Sequence, residues 1–593
     1  MEARRPPPPR PRGAVTAPAA AVTTTAFATP PVVSAAAAAR RRGTASAQAC
    51  RPPAVAAAAA SAWHGAGVVV VGAPPRGRRG GAPAPAAPPC RRDDGGASSR
   101  PPAAAPPPPR PSPPLPPLPP LSMATAAPDA SGLGGTAMDV VVVGAGIAGL
   151  AAATTAAAAG LSVVVVEASD GVGGRMRTDA VDGFLLDRGF HVFIEAYESQ
   201  RQLVDYDALD LRPFLPGAVV RMPASSPSAT SPSAFHLLAD PLRAPSSLPA
   251  VLTAPVGSLG DKARVGALRL STLLASPEGI AAAADGAPST AAYLTDTCGF
   301  SPAFVRAFFR PFYRGIFLSD LDKQSSALFR YVFRAFSVGR ASLPAAGIGA
   351  VPATVAAALP SDRVRIALRS PVTAVTPTSV TLEGGDVLTA RAVVVAADVT
   401  AARRLLAASA SSPSATAAVD GALPPPAALR SSTCLYYATD SATPPTPHPR
   451  ALVINGTGDG PVNNVCFPAA VADTYAPAGR GLVSATIVGN DAAAIGGGDG
   501  ALDAAVRAQL ADWFGDAAVA GWTRVAAAGV PATVRGAQVA QVVGGRGGGD
   551  GVAVGGVYVA GDWWVSPTVE GAVAGGRRAG EAVVAALDGA PRG

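Results

Sequence analysis

The chain has 593 residues and a formal net charge of +8, but the charge is unevenly placed. Residues 1–137 hold 15 Arg and four acids (Glu2, Asp93, Asp94 and Asp129), so this segment carries +11 and leaves −3 for residues 138–593. That near-neutral body argues against a nucleic-acid surface, and five cysteines without a CxxC or paired spacing argue against a disulfide framework or a metal site.

Residues 1–137 are mostly Ala, Pro, Arg, Gly, Ser and Thr. The runs Pro6–Pro9 and Pro106–Leu121 cannot form helix or strand interiors. Too little large apolar side chain is present to offset backbone entropy, so this part is expected to be disordered. An Arg-rich, acid-poor leader reads as an organelle transit peptide. Pro6–Pro9 block the amphipathic Arg helix of a mitochondrial presequence, which points to a plastid (chloroplast). The alternative is that translation starts at Met123. Ala54–Ala73 is apolar, but it is built of Ala, Gly and Val around His64 and makes a weak membrane span. No uninterrupted spanning run follows residue 138, so the body is expected to be soluble or peripheral, with membrane contact at its surface left open.

The body opens on a βαβ unit. Asp139–Val143 is β-branched and reads as a buried parallel strand. Gly144-Ala145-Gly146-Ile147-Ala148-Gly149 follows at once, then an Ala-rich helix over Leu150–Ala159 stopped by Gly160. Ser162–Val166 is a second strand, with Glu167 at its end. In a GxGxxG turn the first glycine permits the tight turn, the second admits a pyrophosphate and the third brings helix and strand together. The helix N-terminus supplies unpaired N–H groups and a positive dipole end to the phosphates. Glu167 can accept both ribose hydroxyls and repels a 2′-phosphate, which disfavours NADP.

The next residues are Glu167-Ala-Ser-Asp-Gly-Val-Gly173-Gly174-Arg175-Met-Arg-Thr178. This run resembles the acid-spacer-GGRxxT signature of the flavin amine oxidase and phytoene desaturase superfamily. The resemblance implies FAD, with Gly174 in the turn around its pyrophosphate and Arg175 as a charge-assisted donor to the phosphates; no Cys lies near the C-terminal motif for covalent attachment, so the FAD is expected to be non-covalent. Further matches follow along the chain. Phe184-Leu-Leu-Asp187-Arg-Gly189-Phe190 is similar to the segment beside the flavin ring. Leu343–Gly349 and Val351–Leu359 resemble the return into the FAD domain. Ser370-Pro371-Val372 is similar to the strand whose valine backbone pairs with the adenine, and Ala392–Ala397 reads as another buried strand. Val557–Asp562 is a strand ending in Gly561-Asp562, and Pro567-Thr-Val-Glu570-Gly571-Ala572 opens a helix through about Leu587. By resemblance, Asp562 lies near the pyrophosphate and ribityl chain, and the helix start at Gly571 and Ala572 faces the flavin edge where reduction gathers charge. Glu570 is either part of that site or only a first-turn acid favoured by the helix dipole.

The implied fold is α/β: a Rossmann-type FAD-binding domain from 138–199, 341–414 and 536–593, with a second α+β substrate-binding domain from 200–340 and 415–535. Nine of the 17 Phe lie between Phe300 and Phe336, at helical spacings such as Phe304/Phe308/Phe312 and Phe329/Phe333/Phe336. They read as helix core or as the wall of a site for a large hydrophobic substrate. Amine oxidases of the superfamily usually place a lysine near the flavin and an aromatic residue two positions before the glutamate of the last motif. Only Lys262 and Lys323 are present, in stretches that match no such lysine, and the residue two positions before Glu570 is Thr568. The desaturase-like branch is favoured, with a polyene or isoprenoid substrate and a flavin that accepts a hydride or electrons. Amine or porphyrinogen oxidation, a redox-neutral isomerisation and a non-catalytic flavin- or pigment-binding role remain as alternatives. One dinucleotide unit is apparent, so electrons are expected to leave to oxygen, a quinone or a carrier. No protein side chain stands out as catalytic; His191, beside Phe190, is a weak candidate for a base. Trp563 and Trp564 line the flavin end or simply fill space.

Overall fold

The valines that open the body alternate between two cores. Val140 and Val142 face the fingerprint helix, whereas Val141 and Val143 face the opposite side. Val163–Val166 and Ala392–Val395 divide in the same way. A strand buried on both faces has no polar side to present, which is why these stretches are continuous apolar runs. In the computed structural model, the described residues are 138–588 apart from 225–232, 284–285, 411–412, 424–428, 490–494, 496–497, 526–533 and 540–552. The leader with Ala54–Ala73 lies outside the described residues, as does the Gly/Asp-rich stretch 544–551.

Val364–Ala367, Val163–Val166, Met138–Val143 and Val387–Val395 lie side by side and parallel, and Val557–Val559 adds a parallel strand beyond them. The start of Val387–Val395 instead pairs antiparallel with Ser379–Leu382, which pairs with Val372–Thr376. The fingerprint helix spans Ile147–Ala158, three residues earlier than Ala-rich composition alone indicates, because Gly146 already serves as its N-cap. Strand Val163–Val166 begins one residue late, since Ser162 is engaged by the Asp139 carboxylate at 2.9 Å.

The last helix, Val569–Asp588, lies along the fingerprint helix with its glycines inward. A Cβ on Gly576 would sit 2.1 Å from the Ala148 carbonyl oxygen, and one on Gly580 would sit 2.9 Å from that of Ala152. The two helices thus meet backbone to backbone, which brings both of their N-termini to one end of the sheet.

A second mixed sheet holds Gly217–Pro223, Ser233–Ala239, Leu429–Thr439, Leu452–Asn455, Val462–Cys466 and Gly481–Val488, with Thr523–Arg524 at one edge. Val534–Val539 pairs with Leu429–Thr439 in this sheet, so the second sheet extends past residue 536. Its core joins the strands to the phenylalanine-rich segment. That segment is one winding path: Pro302–Phe304, a π-helical turn at Val305–Phe309, then Arg310–Phe317. The rings of Phe300, Phe304, Phe308 and Phe312 stack in sequence, with centroids 5.7, 5.6 and 5.9 Å apart. Such stacked aromatic contacts add to the stabilisation from area burial alone.

Candidate active site

A cavity of about 1120 Å³ runs from the glycine turn to the phenylalanine ladder. At the first end, Gly144 has φ +106°, and a Cβ there would meet the Ala396 carbonyl oxygen at 2.7 Å. This is a left-handed turn that only glycine adopts without strain. Gly149 is buried against the turn: a Cβ would lie 1.9 Å from the Gly144 carbonyl oxygen, so it joins helix to strand and does not line the cavity. Gly146 is different. It lines the cavity, and a Cβ on it would meet nothing within 4 Å. The helix it caps has no side-chain cap, so its first N–H groups are left for another acceptor. Ile147 and Ala148 continue the cavity wall on the first turn.

Glu167 lines the same end. One carboxylate oxygen accepts from the Ala145 N–H at 2.8 Å, and the other accepts from the Ser169 N–H and hydroxyl at 2.9 and 2.7 Å. The acid is therefore held by the very turn it follows. The Ser370 N–H donates to the Glu167 carbonyl at 2.8 Å, which brings Val372 to the cavity beside it. Gly174 approaches the Gly146 Cα, and Gly174 and Arg175 both line the wall. Arg175 forms a two-pronged ion pair with Asp562, at 2.9 and 2.7 Å. Asp562 is buried, and with Gly561 it also lines the cavity. Paired forks of this kind fix geometry as well as charge, and this one ties the glycine turn to the end of the last strand.

The start of the last helix divides. Ala572 lines the cavity, as do Pro567, Thr568 and Val569, while Glu570 and Gly571 do not. The Gly571 N–H donates to the Thr568 hydroxyl at 3.0 Å. The buried Glu570 carboxylate accepts from the Ser199 and Gln200 N–H groups at 2.9 and 3.0 Å. It thus caps the helix Glu198–Leu203, where a helix dipole favours an anion. Trp563 is buried beneath Gly561, and its indole N–H reaches the Ala397 carbonyl at 3.4 Å. The Trp564 side chain lies outside what the structure describes.

Gly189, Phe190 and His191 line the middle of the cavity. His191 Nδ1 is 3.1 Å from the Gly189 carbonyl oxygen. A carbonyl only accepts, so that contact assigns the proton of the neutral ring to Nδ1 and leaves Nε2 as an acceptor. Burial pulls the His191 pKa below its ordinary value, ahead of the opposing pull of Asp187. Burial likewise raises the carboxyl of Asp187, despite hydrogen bonds from the Thr178 hydroxyl (2.6 Å), the Ile348 N–H (3.0 Å) and the Tyr475 hydroxyl (2.9 Å). Burial also raises the Cys434 thiol to about 11, so it offers no thiolate near neutral pH.

Residues 147–584 match the family described as flavin containing amine oxidoreductase. The chain belongs to that family. It is an FAD-binding flavoprotein of the oxidoreductase class, and the residues at the glycine end suit the cofactor: open space over Gly146, uncapped helix N–H groups beside it and an acid at the end of the second strand. Similar proteins include coproporphyrinogen III oxidase of Propionibacterium freudenreichii, 39% identical over 89 residues (15% of this chain, 17% of that one). Hydroxyneurosporene desaturase of Rhodobacter capsulatus is 59% identical over 51 residues, 9% of this chain and 10% of that one. The matched stretches thus span less than a fifth of these relatives. The fold is shared more widely. A solved putrescine oxidase bound to putrescine superposes with a TM-score of 0.53 at 20% identity, over 76% of this chain and 99% of that one.

At the far end of the flavoprotein's cavity the wall is aromatic: Phe304, Phe308, Phe312, Tyr313, Phe333 and Phe336. Three polar side chains of the second sheet, Ser432, Asn464 and Thr486, also line the cavity. The Asn463 amide donates to the Pro311 carbonyl and to the Asn464 side-chain oxygen, both at 2.9 Å. The Asn464 amide nitrogen is consequently turned away and buried without a protein acceptor. Sequence spacing held no signal for this polar strip or for the Asp187 network, because their members come from distant segments.

Proposed function

We propose that this flavoprotein oxidises a large hydrophobic substrate of the polyene or isoprenoid class. The observation that carries the reading is the phenylalanine ladder, which continues the FAD end of the cavity as an apolar channel. The bound FAD supplies an acceptor for a hydride or an electron pair. Forming a carbon–carbon double bond removes a hydride and a proton from the substrate. Phe308, Phe312, Phe333 and Phe336 hold the chain and keep water out, and this orientation is the protein's main contribution. His191 Nε2 is the neutral acceptor in the wall for the proton. Ser432, Asn464 and Thr486 meet an oxygen substituent where the substrate has one. An ammonium group finds little to balance it at the aromatic end, since Asp240 there is paired with Arg269 at 2.6 Å. The likeness to a hydroxyneurosporene desaturase supports the same class. Electrons then pass to oxygen, a quinone or a carrier, and residues 1–137 direct the chain to a plastid.

The test is anaerobic mixing of the purified yellow protein with polyenes, isoprenoids, amines and porphyrinogens. Bleaching of the flavin absorbance by polyenes or isoprenoids is expected. Bleaching by amines or porphyrinogens alone overturns the substrate class, and an unchanged spectrum with every class means a binding protein without turnover. A reporter fused to residues 1–137 is expected in plastids; a cytosolic signal defeats that part.

A further inference from the structure

The helix Leu259–Leu274 carries its leucines on the wrong side for a core helix. Of its sixteen residues only Asp261, Leu268 and Thr272 are buried. Leu259 and Leu274 are 65% and 79% exposed, and Leu270 and Leu273 are exposed with them. At about 100° per residue, Leu259, Leu270 and Leu274 share an arc of roughly 60°, on the side away from Leu268. Leu242, 78% exposed, joins them from the preceding turn, with Leu248 and Leu252 of the helix Leu248–Thr253. Seven of the nine large apolar side chains exposed among the described residues thus fall within 242–274, where random scatter over the surface would spread them.

This patch is firmly held. A reciprocal cap between Ser258 and Asp261 fixes the helix start, and Asp261 also accepts from the Ser301 N–H and hydroxyl at 2.8 and 2.9 Å. Lys262 donates to the Leu252 and Ala254 carbonyls at 3.0 and 2.7 Å, joining the two helices. Leu242, Leu270 and Leu273 also line the cavity, so the patch is the rim of its mouth. The local charge is positive: Arg243, Lys262, Arg264 and Arg269 stand against two acids, Asp240, which pairs with Arg269, and the buried Asp261, which lies 3.9 Å from Arg264.

We propose that this face docks on an anionic lipid bilayer, with the leucines in the acyl boundary, the cations among the headgroups and the cavity mouth opening to the apolar layer. An apolar stripe flanked by cations complements a surface that is anionic outside and apolar within. A second copy of the chain fits less well, because a two-fold contact would set the same cations against each other. No helix among the described residues is long and apolar enough to cross a membrane, so attachment is from one side. Docking would let an apolar substrate pass from lipid to cavity without crossing water; only this consequence rests on the function proposed above.

The test is amide hydrogen exchange on the full-length FAD-loaded protein, with and without vesicles of equal parts phosphatidylcholine and phosphatidylglycerol. A local readout is needed because the Arg-rich leader can hold the chain to such vesicles by itself. Exchange across 242–274 is expected to slow at least about tenfold on the vesicles. The triple variant Leu259→Gln, Leu270→Gln, Leu274→Gln, all at exposed positions, should stay folded and yellow and lose that slowing. Unchanged exchange across 242–274 in vesicle-bound wild type overturns the proposal, as does equal slowing in the triple variant. Slowing that depends on protein concentration without lipid assigns the patch to a second copy instead. None of these readouts needs turnover, so an unreactive flavin in the anaerobic mixing leaves the docking result standing.

Discussion

The glycine end and the phenylalanine end of the cavity are built by opposite means. At the glycine end the wall and the packing behind it are largely backbone, and several positions have no room for one more carbon: Gly144 in the wall against Ala396, and behind it Gly149 against Gly144 and Gly576 against Ala148. At the phenylalanine end the wall is side chain, and neighbouring rings share the contact. Backbone walls suit a ligand that never changes, since they present fixed N–H groups at fixed places. Side-chain walls can be recut one residue at a time. The difference predicts that substitutions at the first end are all-or-none and at the second end graded.

The largest effect is expected for Gly149→Ala. The added methyl collides with the Gly144 carbonyl, so the turn must open. The protein should purify colourless with a lowered Tm, and a yellow protein of unchanged Tm would break the contrast between the two ends. Phe309→Ala comes next. Phe309 is fully buried in the core of the second sheet, and its loss should cost about 3–5 kcal/mol in denaturant titration. The flavin-to-protein absorbance ratio should stay that of wild type, because no part of the glycine end is touched.

A smaller effect concerns the rim. Burial tends to raise the Asp261 carboxyl, but donors from Ser301 and Ser258 outweigh it and hold the group at about 2. A depressed carboxylate stabilises the fold above its unfolded value near 3.8, and that contribution is lost as pH falls towards about 2. Asp261→Asn should therefore cost on the order of 2 kcal/mol at neutral pH and little at the acid end of that window. Stability curves of the two proteins that fail to converge on acidification would count against the capping role. The smallest change in stability, under about 1.5 kcal/mol, is expected for Phe312→Leu. Its readout is the relative rate of flavin bleaching by longer and shorter substrates; an unaltered ratio would remove Phe312 from the substrate wall.

Much of the glycine end was legible in the residues because its chemistry is local. Gly144, Gly146, Gly149 and Glu167 fall within one βαβ unit, and turn geometry plus alternating valines define it without help from the rest of the chain. Arg175 and Asp562 were each legible as candidate site residues, and both line the cavity, but their pairing was not legible, since 387 positions separate them. Glu570 shows the limit more sharply. Its place at a helix start left open whether it serves that helix or a ligand, and the structure shows it capping another helix 371 positions away. The leucines of Leu259–Leu274 have the spacing of a core stripe. Nothing in that spacing tells which way the stripe faces.

The chain's own residues thus determined a flavin-type nucleotide turn and a helix rich in phenylalanine, because strand alternation, glycine conformation and helical period act between neighbours. Tertiary structure alone decided which acid pairs with which cation, which polar residues line the cavity, and that one leucine stripe turns away from the core. Those outcomes depend on contacts between segments from tens to hundreds of residues apart, and no local preference encodes them.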